Sequence, residues 1–317
     1  MAGMDGILII DKAAGITSHD VVARVRRITG QRRVGHTGTL DPFGTGVLVV
    51  LVGRATRLAQ FFSGAEKEYE AVIRLGYATD TGDVTGTRVS DSTAETQSST
   101  EIHRDEIESA MAALRGEIEQ IPPMYSAKKI GGRKLYELAR RGEQIERPSV
   151  RVQVSEFVVT AQDDALKKEN TNGTRDLSVR VACSAGTYIR TLAEDFGKQL
   201  GLGAHVAELR RTRAGEFKIG ESITLDRLSE VAQSGSVAEV LISPDAALSS
   251  LPAMDLEAEA ALRITQGIDV RVEEAQRLLW PDGQPVRLRN SDGELIAVGI
   301  YNARRLAVHP QVVIVSA

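Results

Sequence analysis

An aspartate in a glycine-rich loop is the residue of this sequence best placed to do chemistry. Asp41 lies in the run GHTGTLDPFGTG at residues 35–46, and an apolar stretch follows directly at residues 47–52. Four glycines and one proline shape the backbone around this carboxylate. A turn residue that caps its own backbone is the plainer interpretation of Asp41, and a nucleophile is the functional one.

The elements on either side of the loop can be predicted from the apolar pattern. Residues 6–10 are a continuous apolar run that predicts a buried strand. Ser18 precedes apolar residues at helical spacing, and Gly30 ends that pattern, which predicts a helix capped at Ser18. Residues 47–52 are short and rich in β-branched side chains, which predicts a second buried strand. The Asp41 loop therefore leads directly into the core.

Two further segments carry polar side chains toward a potential cleft. Residues 68–76 alternate as a strand, which places Tyr69 at the start of its inward face. Residues 177–181 predict another strand, and an apolar helical stripe begins after Gly186. Tyr188 and Arg190 then fall in the first turn of a helix that follows a strand. Polar groups at such a junction commonly face a cleft.

Composition excludes several classes of protein. The chain has 317 residues and 42% hydrophobic residues, enough for one large domain and a small one. Its one cysteine, Cys183, excludes an internal disulfide framework and a cysteine-based zinc cluster, which fits a reducing cytosol. The longest apolar run is far below the roughly 20 residues needed to cross a bilayer. We expect a cytoplasmic protein without metal or membrane anchor.

The net charge of −4 conceals an uneven distribution of charge along the chain. Residues 1–60 carry eight Lys or Arg against four Asp or Glu, and residues 121–151 carry eight against three. Residues 78–110 carry two basic residues against eight acidic ones. The two basic segments could form one positive face that contacts phosphates, or they could be ordinary solvated surfaces.

Composition also changes along the chain. Residues 90–104 and 162–176 are polar and predict flexible insertions. Acidic residues and Pro breaks at residues 221–260 predict a domain boundary. Beyond it, we expect a short helix at 257–266 and strands at 286–288, 294–301 and 311–316, which together would form a small β-rich domain.

Several separated motifs, taken in order, resemble one known family. They are IIDK at 9–12 with Gly15 and Ser18, the run at 35–46, KEY at 67–69, PPMYSA at 122–127, LYELAR at 135–140, GTYIRT at 186–191, and His205 with LRRT at 209–212. In this combination the chain resembles the TruB-type tRNA pseudouridine synthases of bacteria. Those enzymes isomerise the T-loop uridine at position 55 of tRNA.

The resemblance implies an α+β protein with the pseudouridine-synthase fold, a mixed and largely antiparallel sheet flanked by helices. It implies a catalytic domain at 1–248 with an RNA-binding insertion near 121–151, followed by a small PUA-like domain at 249–317. The substrate would be the T-arm of tRNA. The reaction needs no redox change and no added atom, so we expect no cofactor. We also expect a monomer that requires no protein partner.

The resemblance also implies roles for individual residues. Asp41 would be the nucleophile, Arg190 would stabilise its anion, and Tyr69 would stack on the uracil or reach its C5 proton. His36 would fill the space left by the flipped base, or it would be a structural histidine. We expect further substrate contacts from six residues: Lys12, Tyr188, Leu209, Lys128, Lys129 and Arg133. The last three would form an arm that closes on the RNA.

The chain differs from the family pattern at two positions, and three other functions remain open. Ala13 and Gly44 stand where the family often has Pro and Ala, which affects loop stiffness but removes no reactive group. An aspartyl-nucleophile phosphatase would need a second carboxylate at position 43, where this chain has Phe43. The chain could also be a non-catalytic RNA-binding protein or tRNA-folding chaperone. Relatives that modify other RNAs within guide-RNA complexes are the third alternative.

Overall fold

A computed structural model describes residues 4–89, 103–126, 128–139, 141–143, 145–160, 173–273 and 279–315. Most of the predicted insertion at 90–104, and residues 162–172 of the second one, lie outside these residues. The described part forms two main sheets. The larger sheet carries the Asp41 loop, and the smaller sheet is formed by the C-terminal residues.

The larger sheet has nine strands and is mostly antiparallel. Its main path runs β1-β3-β10-β4-β9-β8-β5, with β2 paired to β3 and β11 paired to β10. Only β3 and β10 pair in parallel among its described strands. The strands are β1 Gly6–Lys12, β2 Val34–Thr37, β3 Thr45–Val52, β4 Lys67–Leu75, β5 Gly116–Gln120, β8 Val150–Val159, β9 Arg175–Cys183, β10 Ala204–Ala214 and β11 Phe217–Lys218.

Helices cover this sheet through two apolar clusters. The helices are α1 Ser18–Thr29, α2 Ala59–Ser63, α3 Arg104–Ala112, α4 Leu135–Ala139, α5 Ile189–Gln199, α6 Leu225–Gln233, α7 Val237–Val240, α8 Pro244–Ala247 and α9 Ala258–Thr265. Side chains of α3 and α5 pack against β4, β8, β9 and β10. Those of α1 and α6 pack against β1 and β3. Each of these four helices buries apolar residues on one face, as amphipathic helices on a sheet do.

A small hairpin projects from the region between β5 and β8. Strands β6 Lys129–Ile130 and β7 Arg133–Lys134 pair with each other and join no other sheet. Gly131 and Gly132 form the turn with φ of 57° and 81°. Two consecutive positive φ values match the twist of a two-residue hairpin, and glycine adopts them at no steric cost.

The cap of α1 differs from the prediction by one residue. Thr17 is the N-cap, and its hydroxyl accepts from the Asp20 amide while the Asp20 carboxylate accepts from the Thr17 amide. Gly30 ends the helix as predicted, with φ of 67°. Ser18 is buried and bonds instead to the backbone of Leu40. Sequence could not separate these roles because Thr and Ser are both good caps.

The C-terminal residues form a five-stranded sheet in the order β12-β14-β15-β16-β13. Its strands are β12 Ala253–Asp255, β13 Val270–Arg271, β14 Pro285–Arg289, β15 Leu295–Asn302 and β16 Ala307–Val313. The prediction placed the last strand too late because Pro310 interrupts its pattern. Pro310 lies at a register shift and beyond the two residues of β16 that pair with β13, so its missing N–H is tolerated.

An apolar cluster packs the C-terminal sheet against segments that follow β3 and α8. Leu58 and Leu248 pack with Leu295, Val298 and Ile314 of the C-terminal sheet. An ion pair between Arg287 and Asp245 at 2.9 Å reinforces this contact. The predicted boundary at residues 248/249 stays a prediction.

The predicted fold class is confirmed: a mixed, largely antiparallel sheet with flanking helices and a β-rich C-terminal part. The predicted strands at residues 6–10, 47–52 and 177–181 lie within strands of the larger sheet, and the one at 68–76 extends one residue beyond the end of β4. Among the described residues, no helix combines the length and the apolar composition needed to cross a bilayer.

Candidate active site

A cavity of about 270 Å³ opens beside the Asp41 loop. Residues from several parts of the chain line it: the loop before β3, the strands β4 and β10, the segment 184–190 that leads into α5, and the two serines Ser63 and Ser126. The predicted residues that line it are Asp41, Tyr69, Tyr188, Arg190 and Leu209. The fold therefore brings together all three residues predicted to be catalytic.

Asp41 and Arg190 form a bidentate ion pair at this cavity. Arg190 Nε donates to Asp41 Oδ2 at 2.8 Å, and Arg190 Nη2 donates to Asp41 Oδ1 at 3.2 Å. The Arg190 side chain is 4% exposed and that of Asp41 is 31% exposed. The carboxylate is thus held in a fixed orientation with one side open to a ligand, which is the geometry that a nucleophile needs.

Arg190 also donates hydrogen bonds to backbone oxygens of two segments that are far from it in sequence. Nη1 donates to the Thr81 carbonyl and Nη2 to the Tyr125 carbonyl, each at 2.8 Å. Asp83 Oδ2 lies 3.8 Å from Arg190 Nε, and the Asp83 carboxylate accepts hydrogen bonds from Thr81 and Thr85. Arg190 is therefore oriented before any substrate binds.

Hydrogen bonds from one residue of β1 and one of α1 hold the loop that carries Asp41 in place. Ser18 Oγ accepts from the Leu40 amide at 3.0 Å and donates to the Leu40 carbonyl at 3.1 Å. Lys12 Nζ donates to the carbonyls of Ala13, Ile16 and Pro42 at 2.8–3.2 Å. Both residues on either side of Asp41 are therefore bonded to the strand-helix unit β1-α1.

Lys12 is fully buried, and it does not line the cavity. The prediction that it contacts the substrate does not fit this position, because its ammonium is enclosed by backbone carbonyls. Its position gives it a supporting role under the Asp41 loop. Burial lowers the pKa of Lys12 to about 8, and the Asp41 charge opposes that shift.

The backbone of β10 lies so close to Gly46 that no side chain fits there. The φ of Gly46 is 101°, and a Cβ there would lie 2.9 Å from the Arg211 amide nitrogen and closer still to its carbonyl oxygen. The close approach of β10 to β3 thus explains this glycine. At Gly44 φ is not in the left-handed region, and a Cβ would meet the flexible Leu40 side chain at 3.3 Å.

Tyr69 and Leu209 lie on adjacent strands with Arg211 beside them. Tyr69 is 8% exposed on β4 and pairs with Arg211 of β10 in the sheet register. Burial raises the pKa of the Tyr69 phenol, so the hydroxyl stays protonated at neutral pH. Arg211 donates to the carbonyls of Val47, Thr39 and Gly38. An aromatic ring and an aliphatic side chain thus border the cavity, which suits a planar base.

Tyr188 is the N-cap residue of α5 and is fixed through its backbone. Its amide donates to Gln120 Oε1 at 3.0 Å, and its carbonyl accepts from Gln120 Nε2 at 3.3 Å. Burial raises the pKa of the Tyr188 phenol. The residue lines the cavity two positions before Arg190, and it caps α5 rather than lying in the predicted first turn.

His36 lies on β2 and is not among the residues that line the cavity. Its ring contacts the ring of His19 edge to face, with centroids 5.5 Å apart. Burial lowers the pKa of His36 to about 4, and the charges of His19 and Arg211 contribute, so the ring is neutral at pH 7. Its Nδ1 is buried without a hydrogen-bond partner among the described residues. Its predicted role beside a flipped base stays a prediction.

The predicted RNA contacts at Lys128, Lys129 and Arg133 lie on the projecting hairpin. Lys129 is exposed, Lys128 is half-buried, and Arg133 pairs with Glu143 at 3.3 Å with its side chain 59% exposed. None of the three lines the cavity. The hairpin and α4, residues 128–139, are called the arm below. The arm is connected to the site because Tyr125, just before it, accepts from Arg190.

The sequence did not predict three charged residues that lie at or beside the site: Asp83, Lys67 and Arg211. Asp83 was counted only as part of an acidic segment, and its flanking threonines were the available signal. Lys67 lies two residues before Tyr69, so the alternation that places Tyr69 inward also places Lys67 inward. Arg211 likewise lies two residues after Leu209 on β10. Within the described part of the chain, no group of three or more His, Cys, Asp or Glu side chains could hold a metal ion.

Comparison with known families gives two matches to consecutive parts of the chain. The profile described as "TruB family pseudouridylate synthase (N terminal domain)" matches residues 26–189. The profile described as "tRNA pseudouridylate synthase B C-terminal domain" matches residues 190–249. The first match includes Asp41 and Tyr69, and the second begins at Arg190.

Similar proteins and structures agree with these matches. The chain is 42% identical over 270 residues to tRNA pseudouridine synthase B of Bacillus cereus, which covers 85% of each chain. It is 41% identical over 305 residues to the protein of the same name from Geobacillus thermodenitrificans, which covers 96% of this chain and 97% of that one.

Among solved structures, a chain of an H/ACA RNP bound to a substrate RNA containing 2′-deoxyuridine matches with a TM-score of 0.69 and 26% identity. A chain of a Cbf5-Nop10-Gar1 complex matches with a TM-score of 0.69 and 27% identity. Each match covers 98% of this chain and 85% of the other. On the evidence of its sequence motifs, its fold and these matches, the chain belongs to the TruB family of pseudouridylate synthases.

Proposed function

We propose that this protein converts the T-loop uridine at position 55 of tRNA to pseudouridine, with Asp41 as the nucleophile and without a cofactor. The observation that carries the proposal is the bidentate Asp41–Arg190 pair at a cavity bordered by Tyr69 and Leu209. An ionised carboxylate with one open side can hold one fragment of the nucleoside while the other turns.

The substrate uridine has to leave its stack to reach this cavity. Flipping a base costs a few kcal/mol, and contacts to the RNA backbone have to offset that cost. The exposed cations of the arm supply such contacts. Tyr69 would then stack on the uracil, and Asp41 would attack it or the ribose C1′. Both orders of bond formation are compatible with the proposal.

The choice of tRNA rests on the degree of similarity. Identity reaches 41–42% with proteins named tRNA pseudouridine synthase B, against 26–27% with chains from guide-RNA complexes. A stand-alone enzyme acting on tRNA is therefore favoured over a subunit of such a complex. A chaperone role could accompany the reaction, because RNA binding alone does not require the Asp41–Arg190 pair.

The decisive experiment maps pseudouridine in an unmodified tRNA transcript after incubation with the purified protein. We expect conversion at position 55 with the wild-type protein and none with Asp41→Asn. Asp226→Asn, which changes an exposed aspartate of α6, is the matched control and should behave as wild type. Conversion at another position would refute the T-loop assignment, and conversion by Asp41→Asn would refute the nucleophile.

A further inference from the structure

A second positive centre lies in the cavity, separate from the Asp41–Arg190 pair. Lys67 and Arg211 both line the cavity and are 6% and 1% exposed. Both lie next to Gly38: a Cβ on that residue would be 3.5 Å from Lys67 Cε and 3.7 Å from Arg211 Nη1. The two cations therefore share one wall of the cavity.

No carboxylate of the described residues forms an ion pair with either of these cations. Lys67 Nζ donates to the carbonyls of Ser63 and Ala65, which leaves one N–H without an acceptor in the described part of the chain. Arg211 donates to the backbone carbonyls of Val47, Thr39 and Gly38, and it lies within hydrogen-bonding reach of the Tyr69 hydroxyl, which is neutral. Buried cations are normally paired, so this arrangement needs an explanation.

The proposed reaction explains why two cations without a carboxylate partner among the described residues lie in the cavity, because it places negative charge on the uracil. If Asp41 attacks C1′, an ester bond forms between its carboxylate and C1′ as the C1′–N1 bond breaks, and the electron pair of that bond goes to N1 and spreads onto the uracil oxygens. C5 then attacks C1′, Asp41 is released from the sugar, the C5 proton leaves, and N1 gains a proton. If Asp41 instead attacks C6, the electrons displaced by that attack also reach a uracil oxygen. In both orders an anionic base exists transiently.

We infer that Lys67, supported by Arg211, stabilises the negative charge that develops on the uracil during isomerisation. This inference rests on the function proposed above. A cation already in place in a partly dehydrated cavity stabilises a developing anion more than water does, because it does not have to reorganise. Its effect falls on the transition state, since the uracil of the bound substrate is neutral.

The charge state of Lys67 is compatible with this role. Burial lowers the pKa of Lys67 to about 8, and the Arg211 charge adds to that shift. The ammonium is thus mostly charged at pH 7. The groups that face it are Arg211 from β10, Cys183 from β9, and Tyr69 on its own strand. Burial raises the pKa of the Cys183 thiol to about 11, so neither this thiol nor Tyr69 supplies a negative charge near neutral pH.

The test compares Lys67→Gln and Lys67→Arg with the wild-type protein in single-turnover reactions at saturating tRNA transcript. We expect Lys67→Gln to slow pseudouridine formation by about 100-fold, as removal of one electrostatic donor does in other enzymes. Lys67→Arg should retain most of the rate, and the Kd for the transcript should be unchanged in both. Lys218→Gln, at an exposed lysine of the same sheet, is the matched control.

Three results would overturn the inference. One is a rate for Lys67→Gln within about threefold of wild type. The second is a defect that appears in the Kd and disappears at saturating RNA, which would make Lys67 a phosphate contact. The third is an equal loss in Lys67→Arg, which would indicate a requirement for shape. If the wild-type protein forms no pseudouridine, the result would instead refute the proposed function itself.

A pH profile decides the question if Lys67→Gln fails to fold, as a thermal melt would show. The single-turnover rate of the wild-type protein should decrease above about pH 8 as the ammonium loses its proton. Lys67→Arg should keep its rate to higher pH, because a guanidinium stays charged. Parallel profiles for the two proteins would overturn the inference.

Discussion

The cavity and the arm both carry positive charge, but only the cavity buries it. Arg190 is 3% exposed and Arg211 is 1% exposed, whereas the Arg133 side chain of the arm is 59% exposed. Charge interactions are several times stronger away from bulk water. An exposed pair such as Arg133–Glu143 contributes roughly 0–1 kcal/mol. The same residue type is therefore suited to orienting a carboxylate in the cavity and to contacting phosphates at the surface.

Removal of the Arg190 charge should have the largest effect. Arg190→Gln leaves Asp41 and Asp83 without their shared cation and removes bonds to two backbone segments. We expect pseudouridine formation to fall by about 1000-fold or more. We also expect the free energy of unfolding to fall by about 3 kcal/mol, because breaking a buried pair leaves charges uncompensated. Activity and urea denaturation would be measured together.

Arg190→Lys sharpens this prediction. It keeps the charge but cannot form the bidentate pair and both backbone bonds at once. We expect a smaller loss of stability than in Arg190→Gln, with activity still far below wild type. Wild-type activity in Arg190→Lys would mean that charge alone matters, and that the fixed geometry of the pair does not.

The glycine that lets β10 approach β3 should be the next most sensitive position. Gly46→Ala would require a Cβ at φ of 101° against the backbone of Arg211. We expect a loss of about 3 kcal/mol in the free energy of unfolding. Gly44→Ala is the matched control and should change that free energy by less than about 1 kcal/mol. Similar denaturation midpoints for the two variants would contradict this account of the loop.

Lys12 should reveal its burial through the pH dependence of stability. Its pKa is about 8 in the folded protein and near 10.4 when unfolded. Between these values the unfolded chain binds more protons, so the Lys12 contribution makes the free energy of unfolding rise with pH. Relative to Lys12→Met, the wild-type slope should be greater by up to about 1 kcal/mol per pH unit. Urea denaturation from pH 7.5 to 9.5 would measure both slopes; parallel lines would contradict the burial.

The arm should show the smallest effect, and one of a different kind. A triple variant, Lys128→Gln/Lys129→Gln/Arg133→Gln, should weaken tRNA binding by about tenfold and reduce the dependence of log Kd on log salt by about 2. The melting temperature and the single-turnover rate at saturating RNA should stay unchanged. An unchanged salt slope would exclude these residues from phosphate contact. A lower single-turnover rate would contradict the expected difference between the arm, which affects RNA binding, and the cavity, which affects the reaction rate.

Local patterns predicted most elements of the site but not its internal connections. Alternation placed Tyr69 inward on β4, and the helical stripe placed Arg190 in the first turn of α5. The same patterns could not show that Lys12 is enclosed by carbonyls, because its acceptors include Pro42, 30 residues away. They also could not place His36 outside the cavity lining, since that depends on how β2 packs.

Local periodicity and motifs were enough to predict several strands and helices around the site, the reactive residue types and the family resemblance. The tertiary structure alone decided which groups meet. Asp41 and Arg190 are 149 residues apart, and Thr81 and Tyr125 reach Arg190 across 109 and 65 residues. It also decided that Lys67 and Arg211 lie buried on one wall of the cavity. Burial changes the energy of charge interactions and the pKa of titratable groups, and burial is a property of the packed fold rather than of any one segment.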